Sequence, residues 1–288
     1  MVDSSSRVAV CGPASWNHLI HLDRLPEPVP HMQFATRSVH TVGGTSAGKA
    51  LHLATLGVDV ELHALLGSDG DAGSIERALR DSGVRLVRHH STETERHVNL
   101  MTEAGGRVSL YVSTPSTPTP DAVARMHGHL READLAIVDL SELGALLLAG
   151  RDEPDGWSTP VWTDLHDYDG VAEFHEPFLR AADVVFMNDD KTDDPWSLMR
   201  ECISKGPRLA VCTLGARGAI ALDAMGRRAQ APAVACTVVD TNGAGDAFAA
   251  GFLKASLEGA DTERCLLAGA EQAVVALSTD HLHPSLGD

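Results

Sequence analysis

The chain has 288 residues, 43% of them apolar, which suits one large buried core and excludes wholesale disorder. Its formal charge of -17, from 40 acidic and 23 basic side chains, repels phosphate backbones and anionic surfaces, so neither nucleic acid nor a membrane is an expected partner. No stretch approaches the roughly 20 apolar residues of a membrane span, and the amino terminus lacks a signal peptide's apolar run, so a cytoplasmic location is expected. In chain order, short and nearly continuous apolar runs fall at residues 8–11, 60–66, 135–139, 161–164, 184–188 and 209–215. Such runs suit strands buried on both faces. Between them, residues 45–56 and 71–82 read as helices that stop at Gly57 and Gly83. The alternation predicts a single α/β domain over 1–288: a doubly wound, mainly parallel sheet with helices on both faces.

Two regions alternate polar and apolar residues instead. They fall within about 31–42 and 97–112, the second containing the turn sequence Glu-Ala-Gly-Gly. A small antiparallel β lid is expected there, too small to fold alone, covering a cleft or pairing with a second copy. Residues 113–120, STPSTPTP, form a stiff connector out of it.

Five widely spaced cysteines without a Cys-x-x-Cys pair argue against a disulfide frame. Fifteen histidines include the near pairs His127/His129 and His281/His283, but no metal-ligand spacing, so no dedicated transition-metal site is expected.

Four strands end on polar residues: Asp139, Asp164, Asn188 and Thr213. Each could cap the next helix, or together they could line a ligand site beyond the strand ends. The stretch VVDTNGAGDAFAAGFL, residues 238–253, carries the chemistry. Small residues Gly243, Ala244 and Gly245 precede Ala247, Phe248, Gly251 and Phe252 at helical spacing, so a helix begins at the glycines. Uncapped N–H groups at such a start bind anions. Asp246 there either complements the helix dipole or takes a proton from a hydroxyl attacking a bound phosphoryl group.

The segment DTNGAGDAF, residues 240–248, resembles the carboxy-terminal signature of the ribokinase-like sugar kinases at every fixed position. GGTSAGKALHLATLG, residues 43–57, is similar to their amino-terminal signature, and residues 65–73, 184–190 and 211–222 also fall in family order. The resemblance covers essentially the whole chain. It implies ATP-dependent phosphorylation of a primary hydroxyl of a small sugar. Asp246 is then the general base and Gly243, Ala244 and Gly245 the anion hole. Asn188, Thr213, Gly215 and Gly218 match the ATP-binding positions, while Asp190 offers a water-mediated Mg²⁺ ligand. Asp240 matches an aspartate beside a monovalent cation such as K⁺. The acceptor would meet Ser15, Asn17, Gly43, Gly44, Gly48, Lys49 and His166, and a homodimer would form through the lid.

Three positions depart from the family pattern. Gly48 stands where a sugar-binding asparagine is expected, Asn17 where an aspartate is common, and Lys191 where a glutamate follows the asparagine of the Mg²⁺ segment. They leave the acceptor open: a nucleoside kinase, or a sugar-binding sensor without turnover, are the competing expectations. Lys49 could bring positive charge to the cleft or be solvated on an outer helical turn. His166 could meet the acceptor or be a surface residue.

Overall fold

The computed structural model describes residues 6–103, 105–151, 153 and 156–287. Residues 1–5 of the amino terminus and Ala104 of the Glu-Ala-Gly-Gly turn lie outside the described residues. In chain order the elements are β1 (Arg7–Cys11), β2 (Ser15–Leu22), β3 (Arg37–Gly43), α1 (Thr45–Thr55), β4 (Asp59–Leu66), α2 (Gly70–Asp81), β5 (Arg85–His90), β6 (Glu95–Thr102), β7 (Arg107–Ser113), α3 (Pro120–Glu132), β8 (Leu135–Val138), α4 (Glu142–Ala149), β9 (Val161–Asp164), α5 (Glu176–Ala181), β10 (Val184–Asn188), α6 (Pro195–Ser204), β11 (Leu209–Thr213), β12 (Ala219–Asp223), β13 (Arg228–Ala231), α7 (Ala244–Leu257) and α8 (Thr262–Leu277).

The main sheet has the order β13-β12-β11-β10-β9-β8-β1-β4-β5. It is parallel from β11 to β5, and β12 and β13 add an antiparallel edge. The buried strands are apolar on both sides because helices cover both faces. Val8 and Val10 of β1 share a core with residues of α1, α2, α7 and α8. Ala9 and Cys11, between them in sequence, join the opposite core with α3, α4, α5 and α6. From β1 the chain first moves outward to β4 and β5, then returns to β8 and proceeds the other way. The strand order therefore reverses beside β1, where open α/β sheets leave a crevice at the strands' carboxyl ends.

The second sheet has the order β3-β2-β6-β7, in which two antiparallel hairpin pairs join through a parallel β2–β6 contact. Strand β2 (SWNHLIHL) extends the lid beyond the two alternating regions read from the sequence, and residues 31–36 lie outside any strand.

Candidate active site

Most helix starts are capped by a side chain, and two begin on glycine. Helices α2, α3, α4, α6 and α8 open on an Asp, Thr or Ser whose side chain accepts from a backbone N–H of the first turn. Helices α1 and α7 open on Gly44 and Gly243, which have no side chain to accept. Gly243 is left-handed, φ 79°, a conformation that favours glycine. The first turn of α7 therefore has no side-chain cap among its hydrogen bonds.

Two cavities meet at this helix start. One, about 600 Å³, is lined by Asn17, Gly44, Thr45, His166, Asn242 and Asp246 together with lid residues. The other, about 580 Å³, is lined by Thr213, Gly215, Gly218, Thr241, Ala244 and Gly245 and by an apolar wall that includes Val234, Phe248 and Leu277. Neighbouring residues at the α7 start thus face different cavities, Asn242 and Asp246 the first and Thr241, Ala244 and Gly245 the second. Period-two alternation turns Glu95, His97 and Asn99 of β6, with Arg107, Ser109 and Tyr111 of β7, towards the first cavity. Arg107 Nη1 donates to Asn242 Oδ1 at 3.3 Å and links the lid to the loop before α7.

Asp246 is buried and paired with Lys49, whose Nζ stands 2.7 Å from Asp246 Oδ1. The same ammonium, 1% exposed, lies 3.1 Å from Asp139 Oδ1 and 3.6 Å from Asp164 Oδ2. Carboxylates from three segments of the chain thus converge on one lysine. Burial raises the Asp246 carboxyl to about 6, although Lys49 opposes the shift. For Lys49, burial favours the neutral amine, but Asp139, Asp246 and Asp164 outweigh it and hold the ammonium well above its ordinary value. Burial also disfavours the Asp164 carboxylate, yet nearby His166 and Lys49 keep it below the usual carboxylate range.

Lys49 is accordingly neither on an outer turn nor at the wall of the first cavity. Gly48 also stands behind that wall: a Cβ built there would lie 2.8 Å from Asp246 Oδ2. Glycine at this position lets α1 approach the carboxylate, and it has no sugar-facing side chain. Ser15 is fully buried and donates to Asn17 Oδ1 at 2.7 Å. At Gly43 a Cβ would overlap the Asn17 amide, so this glycine makes room for Asn17 beneath the lid. His166 is left-handed at φ 53°, and its ring Nδ1 is 3.6 Å from Asp164 Oδ2.

On the second cavity's side, Asn188 ends β10 outside the cavity lining and accepts from the Asp190 backbone N–H at 3.0 Å. Asp189 is held by Arg217, whereas the exposed Asp190 carboxylate makes no ion pair among the described residues. Asp240 Oδ1 accepts from the Asn242 N–H at 2.9 Å, and its buried Oδ2 has no partner. An orphaned carboxylate oxygen close in sequence to the α7 start suits a small cation.

Alternation in β6 and β7 could have identified the lid residues that face the cavity. Nothing local could have joined Lys49 to Asp139, Asp164 and Asp246, because the contact exists only after the sheet and two helices assemble.

Known proteins resemble the whole chain. Residues 160–285 match the pfkB family carbohydrate kinase. The acarbose 7(IV)-phosphotransferase of Actinoplanes sp. is 32% identical over 274 residues, covering 91% of this chain and 89% of its own. A nucleoside kinase of Methanothermobacter thermautotrophicus is 27% identical, with 88% and 84% covered. The structure of a microbiome-derived acarbose kinase superposes with a TM-score of 0.81 at 29% identity, covering 96% of this chain and 93% of that one.

Proposed function

The chain belongs to the pfkB family of carbohydrate kinases, and from that premise we propose that it transfers the terminal phosphoryl group of ATP to a primary hydroxyl of a small sugar. The observation that carries this reading is the position of the α7 start: Asn242 and Asp246 line a polar cavity under a lid, while Thr241, Ala244 and Gly245 line a second cavity with an apolar wall. The apolar wall beside Thr213, Gly215 and Gly218 suits an adenine base, with its phosphates directed at the α7 start. The polar lid suits hydroxyl groups.

In the proposed reaction, Asp246 takes the proton of the acceptor hydroxyl as that oxygen bonds to the γ-phosphorus. The bond from γ-phosphorus to the β–γ bridging oxygen breaks, and ADP leaves with that oxygen's electron pair. Backbone N–H groups at Gly243, Ala244 and Gly245 stabilise the charge on the transferring group, the main protein contribution in such reactions. Lys49 holds the Asp246 carboxylate in place. Closure of β6 and β7 over the acceptor excludes water, which would otherwise take the phosphoryl group. Asp190, with Asn188 beside it, would hold Mg²⁺ through water, and that ion supplies charge neutralisation on the phosphates. Asp240 Oδ2 would hold a monovalent cation such as K⁺ near the anion hole.

A nucleoside is the second acceptor class. It is favoured by the 27% identical nucleoside kinase and by Asn17, a neutral amide where the family often has a charged double acceptor of sugar hydroxyls. The test is ADP release with ATP and Mg²⁺ across hexoses, pentoses, amino sugars, acarbose and nucleosides. The sugar reading expects turnover with a sugar and none with nucleosides; the converse result replaces it. Asp246→Asn should lower turnover by at least about 10²–10⁴-fold and leave ATP binding intact. Undiminished turnover would remove Asp246 from the base role. Ligands that raise Tm without any ADP release would instead make the protein a sugar sensor.

A further inference from the structure

We propose that Glu61, His63 and His129 form a binding site for a late first-row divalent metal ion, with Zn²⁺ the best fit, on the α3 face of the sheet. The three residues line neither cavity. Glu61 and His63 are two apart on β4 and so project to the same face, and α3 brings His129 over them. One donor atom from each residue falls within a mutual 4.8 Å. Glu61 Oε2 lies 3.7 Å from His63 Nε2 and 3.6 Å from His129 Nδ1.

These separations are too long for hydrogen bonds. They are near the donor spacing of about 3.3–3.5 Å around a tetrahedral ion with bonds of about 2.0–2.2 Å. The second observation is His63 itself: the ring is fully buried, and its Nε2 has no hydrogen-bond partner. An unpartnered buried nitrogen facing a carboxylate at 3.7 Å is costly unless a cation lies between them.

The surroundings are those of a ligand set. His63 Nδ1 is 3.2 Å from His89 Nε2. Donating that N–H to His89 fixes the tautomer that leaves the Nε2 lone pair for an ion. Arg85 Nε lies 3.0 Å from Glu61 Oε1 in an ion pair, which leaves Oε2 facing the two imidazoles. Two imidazoles and one carboxylate select zinc or a neighbouring transition ion over Mg²⁺ or Ca²⁺, which favour all-oxygen sets. His129 is partly exposed and provides the route from solvent, and water completes the fourth position. A bound ion would clamp β4 to α3 and stabilise the fold by mass action.

The test uses tag-free full-length protein, stripped with EDTA and then dialysed. Zn²⁺ is titrated by calorimetry, and Co²⁺ by its visible absorption, with the metal alone as probe. One equivalent per chain is expected, accompanied by a rise in Tm. His129→Ala and Glu61→Gln should each weaken binding at least about 10–100-fold while circular dichroism shows a retained fold. Because His129 is not a core side chain, its removal tests the site without emptying the core. No stoichiometric binding by the stripped protein, or binding undiminished in either variant, overturns the proposal.

Discussion

Asp246 is held between two opposing forces. Burial lifts its carboxyl to about 6, and the Lys49 ammonium pulls it back. As the proposed base, Asp246 must be ionised, so turnover should fall about tenfold per pH unit below that value, measured as kcat under saturating ATP and acceptor. The same shift acts on stability with the opposite sign. Asp246 has a folded-state value above its unfolded one, so its protonation favours the fold. That contribution is fully present below the unfolded carboxylate value and is lost as pH rises through about 6. At neutral pH the ionised Asp246 therefore destabilises the protein, and Asp246→Asn should leave Tm equal to or above wild type at pH 7.5, by differential scanning fluorimetry. Lys49→Met does the reverse. It strands Asp139, Asp164 and Asp246 without their common cation, a loss of about 3–5 kcal/mol. In whatever folded fraction remains, the acidic limb of the kcat profile should move to higher pH. An unmoved limb would show that Lys49 does not tune the base.

At the scale of elements, the contact of α1 with α7 places the base, and Gly48 sets how near the helices come. A Cβ at Gly48 would stand 2.8 Å from Asp246 Oδ2 and 3.1 Å from its Cβ. Gly48→Ala gains about 1 kcal/mol in helix propensity, offset by about 1–3 kcal/mol of overpacking. Tm should therefore change little. The carboxylate, however, must move, and a displacement of about 1 Å can cost about 10² in rate. Gly48→Asn, which introduces the asparagine that the family pattern leads one to expect, should be worse than Gly48→Ala; a gain in sugar turnover would contradict this reading of Gly48. The apolar runs at β1, β4 and β8 to β11 were legible because strands buried on both faces leave a continuous signal. Strand β5 (RLVRHH) was not, since a polar, partly exposed edge strand carries no such run. Strand β2 (SWNHLIHL) mixes polar and apolar residues without strict alternation, half buried, and only its partners β3 and β6 distinguish it from a loop. The Gly-Ala-Gly-Asp start of α7 was legible because four neighbouring residues carry it. The lysine cluster and the Glu61, His63 and His129 group draw on residues up to 197 positions apart, and no local pattern encodes them.

For the whole molecule, the lid presents two unlike faces. The inner one is polar and faces the acceptor cavity, whereas the intervening Val108, Leu110 and Val112 of β7 are exposed on the outer one. Met32 and Phe34, between β2 and β3, are also exposed, at 92% and 88%. A strand at a sheet edge with an apolar outer face invites pairing. We expect a homodimer joined lid to lid, in which each copy covers the other's apolar face and steadies β6 and β7 over the acceptor. Light scattering should give twice the chain mass for the wild type. Leu110→Lys, which places like charges against each other across a twofold interface, should shift the protein to monomer. Because a looser lid holds the acceptor less well, KM for the acceptor should rise several-fold while KM for ATP, whose cavity β7 does not line, stays constant. A monomeric wild type, or equal changes in both KM values, would separate the lid from any role in assembly.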